Sequence, residues 1–544
     1  MARKLLSVLV ISIVVATTTS NTIPEFYDDD HYMHSRARQD GTGARIDVNE
    51  LETDYWLDRG QATLGEKINR ELNKNIAKNV IMFLGDGMSI STLKAARVWL
   101  GQSTGEDGET TMLAMEDLPF AGLSKTYCLD AQVADSACSA TAYLAGIKAN
   151  DGTIGVNGKV KYGNCTDNLE ESNFVYSIGK WSQDAGKRTG VVTTTRVTHA
   201  SPAGVYAHIA HRDWESVTPN PACRDIAFQL VHGETGKNLN VILGGGRRNF
   251  LPNSTIDEEG SRGARTDGRN LIQEWLESKV NETAEYVWNR TGLLQEADQN
   301  DYLLGLFQSN HMEYYLDVVD DPLEPTLAEM TEAAIKILSK GENGYFLFVE
   351  GGKIDTAHHD NNVQRSLAET VEFSKAIQVA KDLTSENDTL IVVTSDHSHV
   401  FTFAGYAARG TNVMGPAGNA KDNIPYTILS YANGPGYREN EDGSRYNFSQ
   451  NDFGDIDLIY PALAPLDSET HAGEEVGIFA RGPWAHLFSG VMEQNVIPHL
   501  MAYASCVGDG AIACKDSSNT ISVSNLFVLI CLSVVYLTKY MYNS

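Results

Sequence analysis

The feature that most constrains the fold is the stretch Gly344-Tyr-Phe-Leu-Phe-Val-Glu-Gly-Gly-Lys-Ile-Asp-Thr-Ala-His-His359. Tyr345 to Val349 is aromatic and aliphatic with no polar interruption, and reads as a strand buried on both faces. Glu350 sits at its C-terminal tip. Asp355 and His359 follow four residues apart, on one face of a helical turn. The pattern recurs: Val80–Leu84 runs into Gly85-Asp86-Gly87, and Leu390–Val393 runs into Thr394-Ser395-Asp396-His397. In an open α/β sheet the chemistry lies outside the carboxyl ends of the strands. Three apolar strands ending in carboxylates and imidazoles therefore predict a metal site at one sheet edge.

Strand-like runs also occur at Gly190–Thr194 and Val241–Leu243, alternating with helical stretches such as Asn270–Ser278, Leu327–Ser339 and Ser366–Leu383. That alternation predicts an α/β fold, with a large, mostly parallel central sheet flanked by helices on both faces. From about Gly405 to Ser468 the chain becomes rich in Gly, Asn and Tyr, with turn signals at Asn433-Gly434-Pro435-Gly436 and Asp442-Gly443. This reads as a loop-rich insertion near the active face. The expected organisation is an N-terminal arm and helix over 21–78, a core over 79–404, the insertion over 405–468 and the end of the core over 469–515. Helical spacing of Leu51, Tyr55, Leu64, Ile68 and Leu72 places the N-terminal helix within Asn49–Asn73.

Both ends carry processing signals. Arg3-Lys4, the apolar run Leu5–Val15 and the small residues Ala16–Ser20 form a secretory signal peptide over 1–20. Leu526–Leu537 is too short for a span and follows a polar spacer and the small cluster Asp516-Ser517-Ser518-Asn519. That pattern predicts a GPI-attachment signal over 516–544, with attachment near Asp516, Ser517 or Ser518 and an extracellular, membrane-anchored mature protein. Six sequons, at Asn164, Asn253, Asn281, Asn289, Asn387 and Asn447, agree with a secretory route. The net charge of −28 excludes a nucleic-acid-binding surface, and an anionic substrate would need local cations such as bound metals. Of seven cysteines, Cys531 lies in the tail. Cys506 with Cys514 and Cys165 with Cys223 could pair, leaving Cys128 and Cys138 free; counting alone does not settle connectivity.

Three further stretches carry chemistry. Val133-Ala-Asp-Ser-Ala-Cys-Ser-Ala-Thr-Ala-Tyr143 begins a helix at Asp135 or Ser136, so the Ser136 hydroxyl lies where the helix favours an alkoxide or phosphate. No histidine base is adjacent in sequence; a metal would have to activate the hydroxyl. His199 and Ser201 lie beyond the strand that ends in three threonines, and Arg212 is a candidate clamp for a tetrahedral oxyanion. His471, in Ser468-Glu-Thr-His-Ala-Gly-Glu474, supplies the nitrogen that Asp355 and His359 still need around a metal.

Together these stretches resemble the alkaline phosphatase family, in its eukaryotic, membrane-anchored branch. The motifs Gly85-Asp86-Gly87, Asp135-Ser136-Ala137-Cys138-Ser139-Ala140-Thr141, Thr198-His-Ala-Ser201-Pro202, Glu350-Gly-Gly-Lys-Ile-Asp355, Asp396-His397-Ser398-His399 and Thr470-His471-Ala-Gly473 occur in the family's order, over roughly Asn79 to Cys514. The resemblance implies hydrolysis of small phosphate monoesters at alkaline pH through a phosphoserine on Ser136, with Arg212 binding the phosphate. It implies two zincs, one on Asp355, His359 and His471 and one on Asp86, Asp396 and His397. It implies a magnesium on Asp86, Ser201 and Glu350, with His199 just behind it. Zinc takes nitrogen and carboxylate ligands and magnesium takes oxygen, as these sets provide. The disulfides implied are Cys165–Cys223 and Cys506–Cys514. A homodimer is implied too, the N-terminal helix reaching the partner and the insertion forming a crown. Vertebrate members hold a further calcium; Glu259, the Phe307 carbonyl and Glu324 fall at its positions, with Gln308 in place of a glutamate. Cys138 stands where Gly or Ala is usual, and Thr356-Ala357 where His-Gly is usual. A phosphodiesterase of related design would lack the Ser201–Glu350 pair, and a receptor with a decayed site would have lost a ligand; neither loss is seen.

Overall fold

The computed structural model describes residues 47–318 and 322–511. The leader, most of the N-terminal arm, Cys514, the attachment cluster Asp516, Ser517 and Ser518, and the tail lie outside the described residues.

Ten strands form the main sheet: β1 Asn79–Gly85, β2 Phe120–Lys125, β3 Arg188–Arg196, β4 Val241–Gly245, β5 Ala284–Val287, β6 Tyr302–Leu306, β7 Tyr345–Gly351, β8 Thr389–Thr394, β9 Val476–Arg481 and β10 Gly490–Glu493. Their spatial order is β10-β2-β9-β8-β1-β7-β3-β4-β6-β5. Only β9 runs antiparallel to its neighbours, so the sheet is mostly parallel, as the alternation predicts. Every residue of β7 is buried, because β1 and β3 cover its two edges and helices cover its faces. The period of two is visible in the core: Val80, Met82 and Leu84 face one apolar cluster, Ile81 and Phe83 the other. The main helices are α1 Thr53–Asn69, α2 Ile90–Ser103, α3 Ser136–Ala145, α4 Leu327–Leu338, α5 Lys353–His359, α6 Val363–Leu383 and α7 Ile497–Ser505.

Register brings the strand tips together. Leu84 pairs with Glu350 on one side and with Thr394 on the other, and Thr193 pairs with Glu350. Asp86 and Asp396 therefore emerge level with each other and two residues beyond Glu350, at the same sheet edge.

Just before the expected boundary at 405, the strand Phe401–Phe403 opens a separate small sheet. That strand joins Leu429–Gly434 and Ala462–Pro465 in a three-stranded sheet, beside the hairpin Pro416–Asn419 and Pro425–Thr427. The N-terminal helix is shorter than its apolar spacing suggests: a 3-10 turn, Val48–Leu51, precedes α1, which ends at Asn69 and buries none of its residues. One expectation is corrected. Cys128 and Cys138 are not free thiols but form a disulfide, since the loop between β2 and α3 folds back to put their Cα atoms 5.6 Å apart. Cys165–Cys223 is a disulfide as expected. Cys506 is also disulfide-bonded, and its expected partner Cys514 lies outside the described residues.

Candidate active site

The first ligand cluster is built by α5 and the end of the insertion. One helical turn separates Asp355 from His359, and the His359 Nε2 lies 3.4 Å from Asp355 Oδ1. His471 comes in from the far side, its Nε2 3.4 Å from the same oxygen and 3.2 Å from His359 Nε2. Each imidazole donates through Nδ1 to a backbone carbonyl, His359 to Glu469 at 2.6 Å and His471 to Ala134 at 2.8 Å. Both Nε2 atoms are thereby left as lone pairs facing each other and a carboxylate. Two lone pairs at that separation repel unless a cation sits between them. The donors fit a zinc.

Sequence reasoning missed two residues that hold this cluster. His399, buried, lies 2.9 Å from Asp355 Oδ1 through Nε2 and 2.5 Å from Glu469 Oε2 through Nδ1. Burial alone would lower its pKa, but the hydrogen bonds to Asp355 and Glu469 outweigh burial and raise it to about 10. His399 is thus a cationic bridge between two acids. The only advance signal was its place at the end of Asp396-His397-Ser398-His399.

The second cluster joins β1, β8 and α3. His397 Nε2 lies 3.1 Å from Asp396 Oδ2, 3.5 Å from Asp86 Oδ1 and 3.2 Å from Ser136 Oγ. Gly87 N–H donates to Asp396 Oδ1 at 3.0 Å, which fixes the acid's plane. Burial opposes ionisation of Asp396, but the His397 charge and hydrogen bond, with the Gly87 N–H, hold it below the usual carboxylate range. Ser136 is the first residue of α3, behind Asp135, whose side chain accepts the Cys138 N–H. A sequence-distant histidine thus reaches the serine, but the same nitrogen also faces two carboxylates. That arrangement suits a ligand and not a free base.

The third set is all oxygen. Both Asp86 side-chain oxygens, Ser201 Oγ and Glu350 Oε1 are buried without a hydrogen-bond partner. Glu350 Oε2 is occupied by the hydroxyls of Thr193 and Thr195, which turns Oε1 toward Asp86. Burial raises Glu350 to about 7, and burial with the charges of Asp396, Asp355 and Glu350 raises Asp86 well above its ordinary value. Orphaned, mutually repelling oxygens in one place are costly without a cation, and they fit magnesium. His199 stands beside them, one ligand-bearing atom of each of Asp86, His199 and Glu350 lying within 4.8 Å of the others. Burial, then the charge of Arg212, keeps it neutral.

Arg212 is held by two partners, Asp135 Oδ2 at 3.1 Å from Nη1 and His199 Nε2 at 3.0 Å from Nη2. Its planar fork is fixed beside the Asp135 cap of α3. All ten residues expected at the site converge, with His199 beside them.

The remaining expectations fare differently. Glu259 pairs with the buried Arg247 at 2.5 Å, and Glu324 accepts the Gln308 amide at 3.1 Å and the Glu313 N–H at 3.0 Å. Phe307 is buried behind them. Glu259 is thus charge-balanced by Arg247, whereas Glu324 has only neutral donors and burial lifts it to about 7. Asn253, Asn281 and Asn387 are exposed, whereas Asn164, Asn289 and Asn447 are half-buried helix N-caps. Among the described residues no helix is long and apolar enough to cross a membrane.

The sequence profile described as "Alkaline phosphatase" matches residues 77–507. The chain is 44% identical over 520 residues to the membrane-bound alkaline phosphatase of Bombyx mori, covering 92% of this chain and 94% of that one. It is 46% identical over 499 residues to the tissue-nonspecific isozyme of alkaline phosphatase from Rattus norvegicus, covering 89% and 94%. Among solved structures, the alkaline phosphatase of Thermus thermophilus shares the fold at a TM-score of 0.57 and 22% identity, covering 81% of this chain and 94% of that one.

Proposed function

The chain belongs to the alkaline phosphatase family, and from that premise we propose that it hydrolyses small phosphate monoesters through a phosphoserine on Ser136, with two zincs and one magnesium per subunit. The observation that carries the reading is the Ser136 hydroxyl, 3.2 Å from a His397 nitrogen that two carboxylates also approach. Asp355, His359 and His471 would hold one zinc; Asp86, Asp396 and His397 the other; Asp86, Ser201 and Glu350 the magnesium. When bound, these cations supply charge that stabilises the attacking and leaving oxygens of an in-line displacement. Arg212 takes two phosphoryl oxygens in its fork, and the N-terminus of α3 adds partial positive charge beneath them. Ser136 Oγ gives up its proton and forms a bond to phosphorus as the ester oxygen leaves and takes up a proton from water. Water then displaces Ser136, so two inversions give net retention. His199, kept neutral, steadies Arg212 without adding a competing charge.

The same premise supports a secreted, glycosylated, GPI-anchored homodimer. The exposed Trp56, Leu57, Leu64 and Ile68 of α1, 48–71% exposed, suit a face covered by a partner subunit. A calcium at Glu259, the Phe307 carbonyl and Glu324 would compete with Arg247 for Glu259 and would supply the counter-charge that Glu324 lacks.

The test is release of p-nitrophenol from p-nitrophenyl phosphate between pH 7 and 11, with EDTA and after zinc and magnesium are restored. Activity should be strongest on the alkaline side, vanish on chelation and return with the metals. Ser136→Ala should fall to background while keeping its metals and its folded spectrum, and acid-quenched wild type should carry phosphate on Ser136. Turnover near wild type in Ser136→Ala would remove that residue from the nucleophile's role.

A further inference from the structure

We propose that the Cys128–Cys138 disulfide is a positioning cross-link for the nucleophile, fixing the loop that carries three working parts of the site. This inference rests on the phosphatase reading above. Between the end of β2 at Lys125 and the start of α3 at Ser136 the backbone forms no regular element. Several of its side chains point into solvent, with Leu129 54% and Val133 38% exposed. An irregular, exposed segment of this kind is expected to open locally more readily than the sheet or the buried α3. Yet its last residues do the most exacting work. The Ala134 carbonyl accepts the His471 Nδ1–H at 2.8 Å and so aims that imidazole's other nitrogen at Asp355. Asp135 caps α3 and anchors Arg212 at 3.1 Å. Ser136 is the nucleophile.

The disulfide spans this segment from its base to the first turn of α3. Cys138 is itself the residue whose N–H, at 3.0 Å, is capped by Asp135, and Cys128 Sγ lies 3.8 Å from the same carboxylate oxygen. The bond is 2% and 1% exposed at its two cysteines, out of reach of solvent thiols in the folded protein. It is therefore a permanent staple and no redox switch. Chain entropy separates this role from plain stabilisation. The pair closes only 10 residues, whereas Cys165–Cys223 closes 58 and touches none of the site. The longer loop should contribute more to global stability. The shorter one should contribute more to geometry, where a displacement of about 1 Å can cost about 100-fold in rate.

The test compares Cys128→Ala/Cys138→Ala with Cys165→Ala/Cys223→Ala, both zinc- and magnesium-loaded and assayed well below their melting temperatures. Non-reducing peptide mapping first establishes the pairing in wild type. The expected result is a larger fall in melting temperature for the second double variant. The first should lose about 10-fold or more in kcat/KM, with weaker inhibition by inorganic phosphate. Wild-type kcat, KM and phosphate inhibition in a folded Cys128→Ala/Cys138→Ala protein would overturn the proposal, as would free thiols at both positions in wild type. If that variant does not fold, wild type is reduced with a phosphine in dilute urea and assayed before its thiols are mapped. Loss of activity must then track opening of Cys128–Cys138, and full activity in molecules with the pair open would overturn it. An inactive wild type would instead remove the phosphatase reading, and this inference with it.

Discussion

At Glu469 one residue holds three others through four hydrogen bonds. Its carboxylate accepts the Val400 N–H at 2.7 Å and His399 at 2.5 Å, its carbonyl accepts His359 Nδ1–H at 2.6 Å, and its N–H donates to the His359 carbonyl at 2.9 Å. It closes the root of the insertion and orients the ligands around Asp355 in the same contacts. Glu469→Gln keeps the shape but offers one acceptor oxygen where two are used. Zinc retention should weaken about 10- to 100-fold, as for other outer partners of metal ligands, read by metal analysis against increasing chelator. Unchanged retention would reduce Glu469 to a packing role. Neither Glu469 nor His399 was legible in the sequence, and the reason is physical. The candidate ligands Asp86, Glu350, Asp355 and Asp396 each lie at or within a few residues of the end of an apolar strand, so strand pattern and chemistry point to the same place. A histidine that binds two acids has no local pattern that sets it apart from one that binds a cation. The Cys128–Cys138 pairing was hidden similarly, because it depends on a loop whose path no periodicity encodes.

Among the elements, the sheet's centre was readable and its margins were not. β1, β4, β7 and β8 are apolar runs, and β3 a buried Val–Thr run, because neighbours cover both edges and both faces. β2 alternates half-buried and exposed, β5 has four residues, and β10 is half exposed, so each resembles loop in composition. β6 is apolar but broken by Gly305. Turns at the strand tips are where small residues are compulsory. Gly87 follows β1 with φ +66°, and a Cβ there would lie 2.3 Å from His399 Nε2. Gly87→Ala therefore combines left-handed strain, on the order of 1–3 kcal/mol, with displacement of the His399 bridge. It should lower both melting temperature and kcat, and rescue of kcat by excess zinc should be partial at most. A variant with wild-type kcat would show that the tip tolerates His399 elsewhere.

Over the whole molecule, a chain of net charge −28 gathers Asp86, Glu350, Asp355 and Asp396 into one buried place, against the sense of its own field. The two apolar clusters flanking the sheet supply the frame, so the metals complete a site that the fold has already assembled. The cost of that assembly depends on pH. In the metal-free protein, burial lifts Glu350 from its ordinary 4.5 to about 7. A group raised in this way contributes stability that is full below its unfolded pKa and is lost as pH rises through about 7. Cations reverse the balance, because they bind the deprotonated ligand. Below about pH 7 each proton that must be displaced from Glu350 costs up to tenfold in apparent affinity per pH unit, and the raised Asp86 acts in the same direction. The gain in melting temperature on adding zinc and magnesium to chelated protein should therefore grow from pH 5.5 to pH 8. Calorimetry at fixed metal concentration reads this directly. Replacement of Glu350 by Gln, which has no proton to lose, should bind magnesium more weakly and flatten that growth. A metal-induced gain that is the same at both pH values in wild type would mean that the bound cations do not draw on the buried acids at the strand tips.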